Sequence, residues 1–187
     1  MENKKVLIKG KNIQLRTTIK SDMELKVKWY GDPEVNKTLV LPEKLELDKT
    51  YQWFEKTKND SSRFDMTIET LDGVPIGVIG LKNINKNNRS ALLYIVIGEK
   101  DYWGKGLGLE AELLAIHYGF KEMGLHRVLA TALENNAASI RVCEKVGFIH
   151  EGTSRDDYYR DGKFYNVHKY SILKDEFYQA HHEFENL

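Results

Sequence analysis

Cysteine and proline are scarce: one cysteine, Cys143, and three prolines occur in 187 residues. A lone thiol forms no internal disulfide framework and no multi-cysteine metal site, so no metal is expected to hold this chain together. Few prolines and no low-complexity tract argue against a disordered region or a long linker. No internal repeat is visible. Net charge is absent too, because 28 basic and 28 acidic residues cancel. The chain therefore lacks the overall electrostatic footprint of a protein that binds nucleic acid or an anionic membrane, although a local patch is compatible with zero net charge. No stretch approaches the roughly 18 apolar residues of a membrane helix. The N-terminal "MENKKVLIKGKN" has no apolar run of signal-peptide length. These absences point to a soluble, cytoplasmic protein without a nucleic-acid or membrane partner. The length suits a single domain over residues 1–187.

What is present alternates strands with helices. "NIQLRTT" (12–18) has strand periodicity. "KSDMELKVKWYGDPEV" predicts a short helix capped at Ser21 or Asp22 that breaks near Gly31–Pro33. A second helix, with Asp48 as its candidate cap, places Tyr51, Phe54 and Trp53 on one face; Trp29 and Trp53 read as core residues. "RFDMTIETLDGVPIGVIGLKNI" reads as two strands joined at Asp72-Gly73. The continuous apolar run Ala91–Ile97 predicts a central strand buried on both faces. Leu109, Leu113, Ile116 and Phe120 then recur at helical spacing, with Glu110 and Glu112 off the stripe. His126–Leu133 is a further strand. "NNAASIRVCEKVGF" is a shorter helix stopped by Gly147, and a hairpin follows that turns at Asp161-Gly162. The pattern is α/β in one domain. From Lys174 onward the chain reads as a surface helix.

The densest signal is "DYWGKGLGLEAELLAIHYGF" (101–120), with Gly104, Gly106 and Gly108 in five residues. Glycine is entropically expensive to order. A buried strand, a glycine turn and a helix start aim several backbone N–H groups at one point, and the helix dipole adds positive character there. Such a place binds phosphate without a charged side chain; Lys105 adds a charge or is simply solvated. The run is too tight for a P-loop. It fits a dinucleotide fingerprint over Gly106–Ala111, but Glu134, the acid that would follow, lies 28 positions beyond Gly106 against the usual ~20. The remaining ligand is the pyrophosphate of coenzyme A, and a turn that merely shapes the chain is the bland alternative.

Several blocks bear on that choice. "YWGKGLGLEA", "ENNAASIRVCEKVGF" about 30 residues later, and the closing "EGTSRDDYYRDGKFYNVHKYSIL" resemble the GNAT superfamily of acyl-CoA-dependent N-acetyltransferases. The nearest branch is similar to the ribosomal-protein-alanine/serine N-acetyltransferases and their small-molecule relatives. The resemblance spans a core of about 13–173 and leaves a tail at 174–187. It implies a mixed, mostly antiparallel sheet with a splayed strand pair and flanking helices. It implies acetyl-CoA as cosubstrate and an acceptor that is a small-molecule amine or a peptide N-terminus. Homodimers are common in the family. The coenzyme would be held by Trp103, Gly104, Lys105, Gly106, Leu107, Gly108 and Leu109 at the turn. Ile95, Val96 and Ile97 would hold it on the first splayed strand, and Asn136 and Ser139 in the second block.

Acetyl transfer to an amine needs loss of the ammonium proton, a donor for the thioester oxygen, and a proton for the leaving thiolate. The donor that the resemblance implies is a backbone N–H near Ile95 or Val96. Many members carry a tyrosine acid where this chain has Cys143, which reads as a small buried helix residue, a weak acid or a nucleophile without a nearby histidine. Ser139 is the better acid candidate, with a capping or coenzyme-lining role as the alternative. Many relatives also place a glutamate base at the position of Leu93, which cannot take a proton. Glu134, through water, and Tyr94 are the remaining base candidates; Glu134 also reads as a first-turn acid favoured by the helix dipole. Lacking both side chains, the chain is also compatible with a non-catalytic acyl-CoA-binding module.

Overall fold

The computed structural model describes residues 5–40 and 45–185; the first four residues of the N-terminal stretch and the last two of the tail lie outside them. The chain runs β1 (Val6–Lys9), β2 (Ile13–Thr17), α1 (Asp22–Gly31), α2 (Pro33–Asn36), α3 (Leu47–Thr57), β3 (Arg63–Thr70), β4 (Pro75–Asn85) and β5 (Ser90–Ile97). It continues with α4 (Leu107–Lys121), β6 (Arg127–Leu133), α5 (Ala137–Val146), β7 (Ile149–Arg160), β8 (Lys163–Leu173) and α6 (Lys174–Ala180). Among the described residues the strands form one eight-stranded sheet in the order β1-β2-β3-β4-β5-β6-β8-β7.

Every neighbouring pair is antiparallel except β5 and β6, which are joined through α4 and run parallel. That one parallel pair is short. It holds only over Ser90–Leu92 against Arg127–Leu129. Beyond it β5 stays on β4, up to Ile97 opposite Gly77, while β6 stays on β8, up to Leu133 opposite Val167. Each strand follows its antiparallel partner, and the sheet opens between them.

Local chemistry explains the turns. Gly73 (φ +88°) closes the β3–β4 hairpin, and Asp161 and Gly162 (φ +50° and +79°) close β7–β8, as a tight hairpin turn requires. Gly147 ends α5 in the left-handed conformation, φ +91°, with its N–H turned back into the helix.

Several elements differ from the sequence expectation. β5 is not buried on both faces: Ala91, Leu93 and Val96 are buried, but Leu92, Tyr94, Ile95 and Ile97 are half-buried, because the strand borders the opening in the sheet. An apolar run here marks a cleft wall as well as a core. α3 begins at Leu47 rather than after an Asp48 cap. On α4, Glu112 and His117 are buried together with Leu114, Ala115 and Phe120. The helix is covered by more than the sheet, since Phe177 and Phe184 from the chain's end also enter the main core. Phe177 sits against Phe120, and His117 sits between Tyr178 and Phe184. The expected surface helix therefore forms, but it is anchored by two buried aromatic rings. Among the described residues no helix is long and apolar enough to cross a membrane.

Candidate active site

The opening between β5 and β6 continues into a cleft of about 540 Å³. Its floor is β5 from Leu92 to Val96 and the end of β6 from Thr131 to Leu133; Asn136 and Ser139 close one side. The other end is walled by Lys26 and Tyr30 of α1, Trp53 of α3, Arg63 of β3 and Lys82 of β4.

On the β5 side the useful groups are backbone. Gly98 N–H donates to Ile76 O at 2.9 Å. In an antiparallel ladder the bonding direction alternates with each residue, so Val96 and Tyr94 bond toward β4 and the N–H and C=O of Ile95 face the gap. This separates Ile95 from Val96, which the sequence left equivalent. Ile97 faces the same way, and its carbonyl accepts the Trp103 indole N–H at 2.9 Å. Trp103 thus ties the start of the glycine turn to the strand end.

Gly104 (φ +72°) and Gly106 (φ +78°) both adopt the left-handed conformation, and a Cβ at either would meet nothing within 4 Å. Glycine is required there by the backbone angle, not by crowding. Gly108 differs: its φ is ordinary and a Cβ would meet only Ile97 Cγ1 at 3.8 Å. Gly106 is the cap of α4, whose first helical bond runs from Glu110 N to Gly106 O at 3.1 Å. The amides of Leu107, Gly108 and Leu109 precede that bond, in the turn where a helix leaves its donors free. Lys105 is exposed, with Nζ 5.3 Å from the Tyr102 ring centroid. Glu110 turns away from the site and accepts from Asn12 N and Nδ2, both at 2.8 Å. An open, glycine-shaped cradle of amides at the mouth of a strand gap fits a pyrophosphate and the extended arm behind it.

The second block is brought to the cleft only in part. Asn136 caps α5, its Oδ1 accepting from Ser139 N at 3.0 Å, and its Nδ2 donates to Thr38 O at 3.4 Å. Ser139 lines the cleft. Cys143 does not: it is buried, and burial, followed by the nearby Glu112 carboxyl, pushes its thiol up to about 12. Glu134 is absent from the cleft lining; its carboxylate accepts from Asn166 N at 3.2 Å and Nδ2 at 2.9 Å, joining β6 to β8.

Tyr94 crosses the floor of the cleft. Its ring lies over Gly80, where an added Cβ would come within 2.6 Å of it, and its hydroxyl donates to Asp65. Burial first, and then the Asp65 charge, hold the phenol well above its usual value, so it stays protonated at neutral pH. Asp65 also accepts from Arg63 Nε at 2.7 Å and Nη2 at 2.8 Å. Arg63 in turn stacks on Trp53, 4.5 Å from the ring centroid, and Lys26 Nζ sits 3.7 Å above the same indole. Trp29 is buried in the second core cluster as expected, but Trp53 belongs to the cleft. The sequence reading missed this whole group except Tyr94. Its members come from four elements, and no local spacing links them. Among the described residues no cluster of three or more metal-ligating side chains occurs.

Comparison with known proteins is consistent with this geometry. The family model described as the acetyltransferase (GNAT) domain matches residues 12–149. An uncharacterized N-acetyltransferase, p20, of Bacillus licheniformis is 27% identical over 170 residues, covering 88% of this chain and 94% of that protein. The putative ribosomal N-acetyltransferase YdaF of Bacillus subtilis is 38% identical over 105 residues, 56% of this chain and 57% of that one. Spermidine N(1)-acetyltransferase of Escherichia coli is 29% identical over 128 residues, 68% of each chain. The crystal structure of spermidine N-acetyltransferase from Vibrio cholerae in complex with CoA and spermine shares the fold, with a TM-score of 0.84 at 21% identity over 88% of this chain and 97% of that one.

Proposed function

The chain belongs to the acetyltransferase (GNAT) domain family, a class of acetyl-CoA-dependent N-acetyltransferases, and from that premise we propose that it transfers acetyl directly to a primary amine on a small molecule. The observation that carries the reading is the alignment of the β5–β6 opening with the left-handed glycine turn at its mouth. The spermidine acetyltransferases among its relatives support a small-molecule acceptor.

Acetyl-CoA supplies the activated acyl group and the thiolate leaving group. The first-turn amides of α4, with those of Gly104–Gly106, bind its pyrophosphate. The Ile95 amide donates to the thioester oxygen. Ser139 protonates the departing sulfur, in keeping with its place on the cleft wall beside Asn136. No carboxylate described in or beside the cleft is free to act as base: Glu46 pairs with Lys49 at 2.9 Å and Asp65 with Arg63 at 2.7 Å. Water therefore carries off the amine proton, and Glu134 has a structural role between β6 and β8.

Thermal unfolding with excess acetyl-CoA, with NAD as control, tests the coenzyme assignment. Saturation at about 100 times the dissociation constant adds roughly 2.7 kcal/mol of stability. A shift with acetyl-CoA alone, followed by release of free thiol in the presence of amines, is the expected result. Stabilisation by NAD instead would make the turn a dinucleotide site, and coenzyme binding without turnover of any amine would make the protein a sensor. Ser139→Ala should lower kcat by about 100-fold, the lower range for loss of a proton-transfer group, while acetyl-CoA still stabilises the chain. Unchanged kcat would remove Ser139 from the chemistry.

A further inference from the structure

The acceptor end of the cleft has an unusual charge arrangement. Arg63 and Lys82 stand directly opposite each other on β3 and β4, a juxtaposition of like charges that weakens a sheet. Lys26 reaches over the same wall from α1, and its ammonium sits against Trp53 rather than against a carboxylate. Lys82 likewise rests on an aromatic neighbour, 5.7 Å from the Tyr94 ring centroid. Among the described residues Asp65 is the one carboxylate in this group, and it is already held by Arg63 and by the Tyr94 hydroxyl. Glu46, further along the wall, is paired with Lys49. Among the described residues of this wall, three cations thus face one anion across a partly desolvated pocket.

We propose that this wall is the specificity site for acceptors that carry an anionic group, a carboxylate or a phosphate, besides the amine that is acetylated. An anion between Lys26, Arg63 and Lys82 would relieve their mutual repulsion and exchange water for charge-assisted hydrogen bonds. The same field opposes a polycation, so spermidine, the substrate named for several relatives, is a poor acceptor here. Lys26 is sensitive to this balance: burial, with smaller contributions from Arg63 and Lys82, lowers its ammonium to about 8, while Asp65 opposes the shift. Tyr30, also beside it, is pushed the other way by burial and by Asp65 and stays neutral. A bound anion would return Lys26 to a firmly charged state. This inference rests on the acetyltransferase reading above.

The test is an acceptor panel on the full chain with acetyl-CoA, read as free thiol at pH 7. β-Alanine is compared with β-alaninamide, O-phosphoethanolamine with ethanolamine, and both pairs with spermidine. At least one anionic amine should exceed its neutral partner about tenfold or more in kcat/KM, as for loss of a charged hydrogen bond; the arm that does so distinguishes carboxylate from phosphate. Lys26→Gln and, separately, Lys82→Gln should each raise KM for the preferred anionic amine more than they lower kcat, and each should narrow the gap to spermidine. Preference for spermidine or for the neutral partners overturns the proposal, as does selectivity unchanged in both variants. If acetyl-CoA stabilises the protein and spermidine alone is turned over, the charge inference fails while the enzyme reading stands. If acetyl-CoA neither binds nor reacts, both fail.

Discussion

Along β5 and into α4 the site offers backbone: the Ile95 amide, the amides of Leu107 to Leu109, and two left-handed glycines with nothing around them. Across the cleft, α1, α3, β3 and β4 offer side chains, with Lys26, Trp53, Arg63 and Lys82 held by stacking and by Asp65. In the proposed reading the backbone cradle recognises a group that every turnover shares, and its geometry is set by φ and by strand splay. The side-chain wall recognises what distinguishes one acceptor from another, and it can change without disturbing the sheet. Amides also carry no net charge, whereas the wall carries repulsion between cations within the folded state.

The sharpest way to break this comparison is Gly106→Val. The position has space for the side chain but demands φ +78°, which costs an L-residue roughly 1–2 kcal/mol and redirects the amides at the start of α4. The acetyl-CoA-induced rise in unfolding temperature should vanish while the unliganded chain stays folded by circular dichroism. Gly108→Ala is the matched control, because its Cβ meets only Ile97 at 3.8 Å; loss of coenzyme affinity there, without loss of stability, would show that the ligand itself approaches the backbone.

On the other side, Gly80→Ala forces a Cβ to within 2.6 Å of the Tyr94 ring and 2.7 Å of Phe64 O. Overpacking of this kind typically costs about 1–3 kcal/mol, seen as a lower denaturation midpoint. Displacing Tyr94 should raise KM for the amine and leave acetyl-CoA stabilisation intact. Loss of coenzyme binding instead would mean that the two halves are coupled through β5.

The smallest effect concerns Glu112, outside both halves. Burial raises its carboxyl to about 8, and Oε2 has no hydrogen-bond partner among the described residues. Below the unfolded value near 4.5 both states are protonated. As pH rises from there to about 8 the unfolded chain releases the proton and the folded chain keeps it, so stability falls over that window. Glu112→Gln should flatten this slope and add more than about 1 kcal/mol at pH 8, measured by urea unfolding at pH 5 and pH 8. An unchanged slope would show that Glu112 finds a partner in solution.

Strands β2 to β8, the two main hairpin turns, α4 and α5 were legible because each is written in a contiguous pattern: alternation, an Asp-Gly pair, a 3.6-residue stripe and a stop at Gly147; β1 at Val6–Lys9 was not. The glycine turn was legible for the same reason, since its chemistry is that of one short segment. Where patterns were ambiguous the reading slipped. An apolar run does not reveal whether its second face meets core or cleft, so β5 read as fully buried. An off-stripe acid does not reveal what covers a helix, so the position of Glu112 off the stripe gave no sign of its burial. A tail of mixed polarity hid the burial of Phe177 and Phe184.

By itself, then, the order of residues determined most of the elements and the glycine turn, because these depend on neighbours within a few positions, while the coenzyme expected at that turn came from the resemblance of whole blocks to a family. Tertiary structure decided the parting of β5 from β6, since each follows an antiparallel partner from elsewhere in the chain. It also turned the Ile95 amide into the gap, buried Cys143, tied Glu134 to Asn166 outside the cleft, and assembled Lys26, Trp53, Arg63 and Lys82 into one wall. Charges that cancel over the whole chain still gather on one face of a cleft, because folding, and not composition, sets the distances on which electrostatic energy depends.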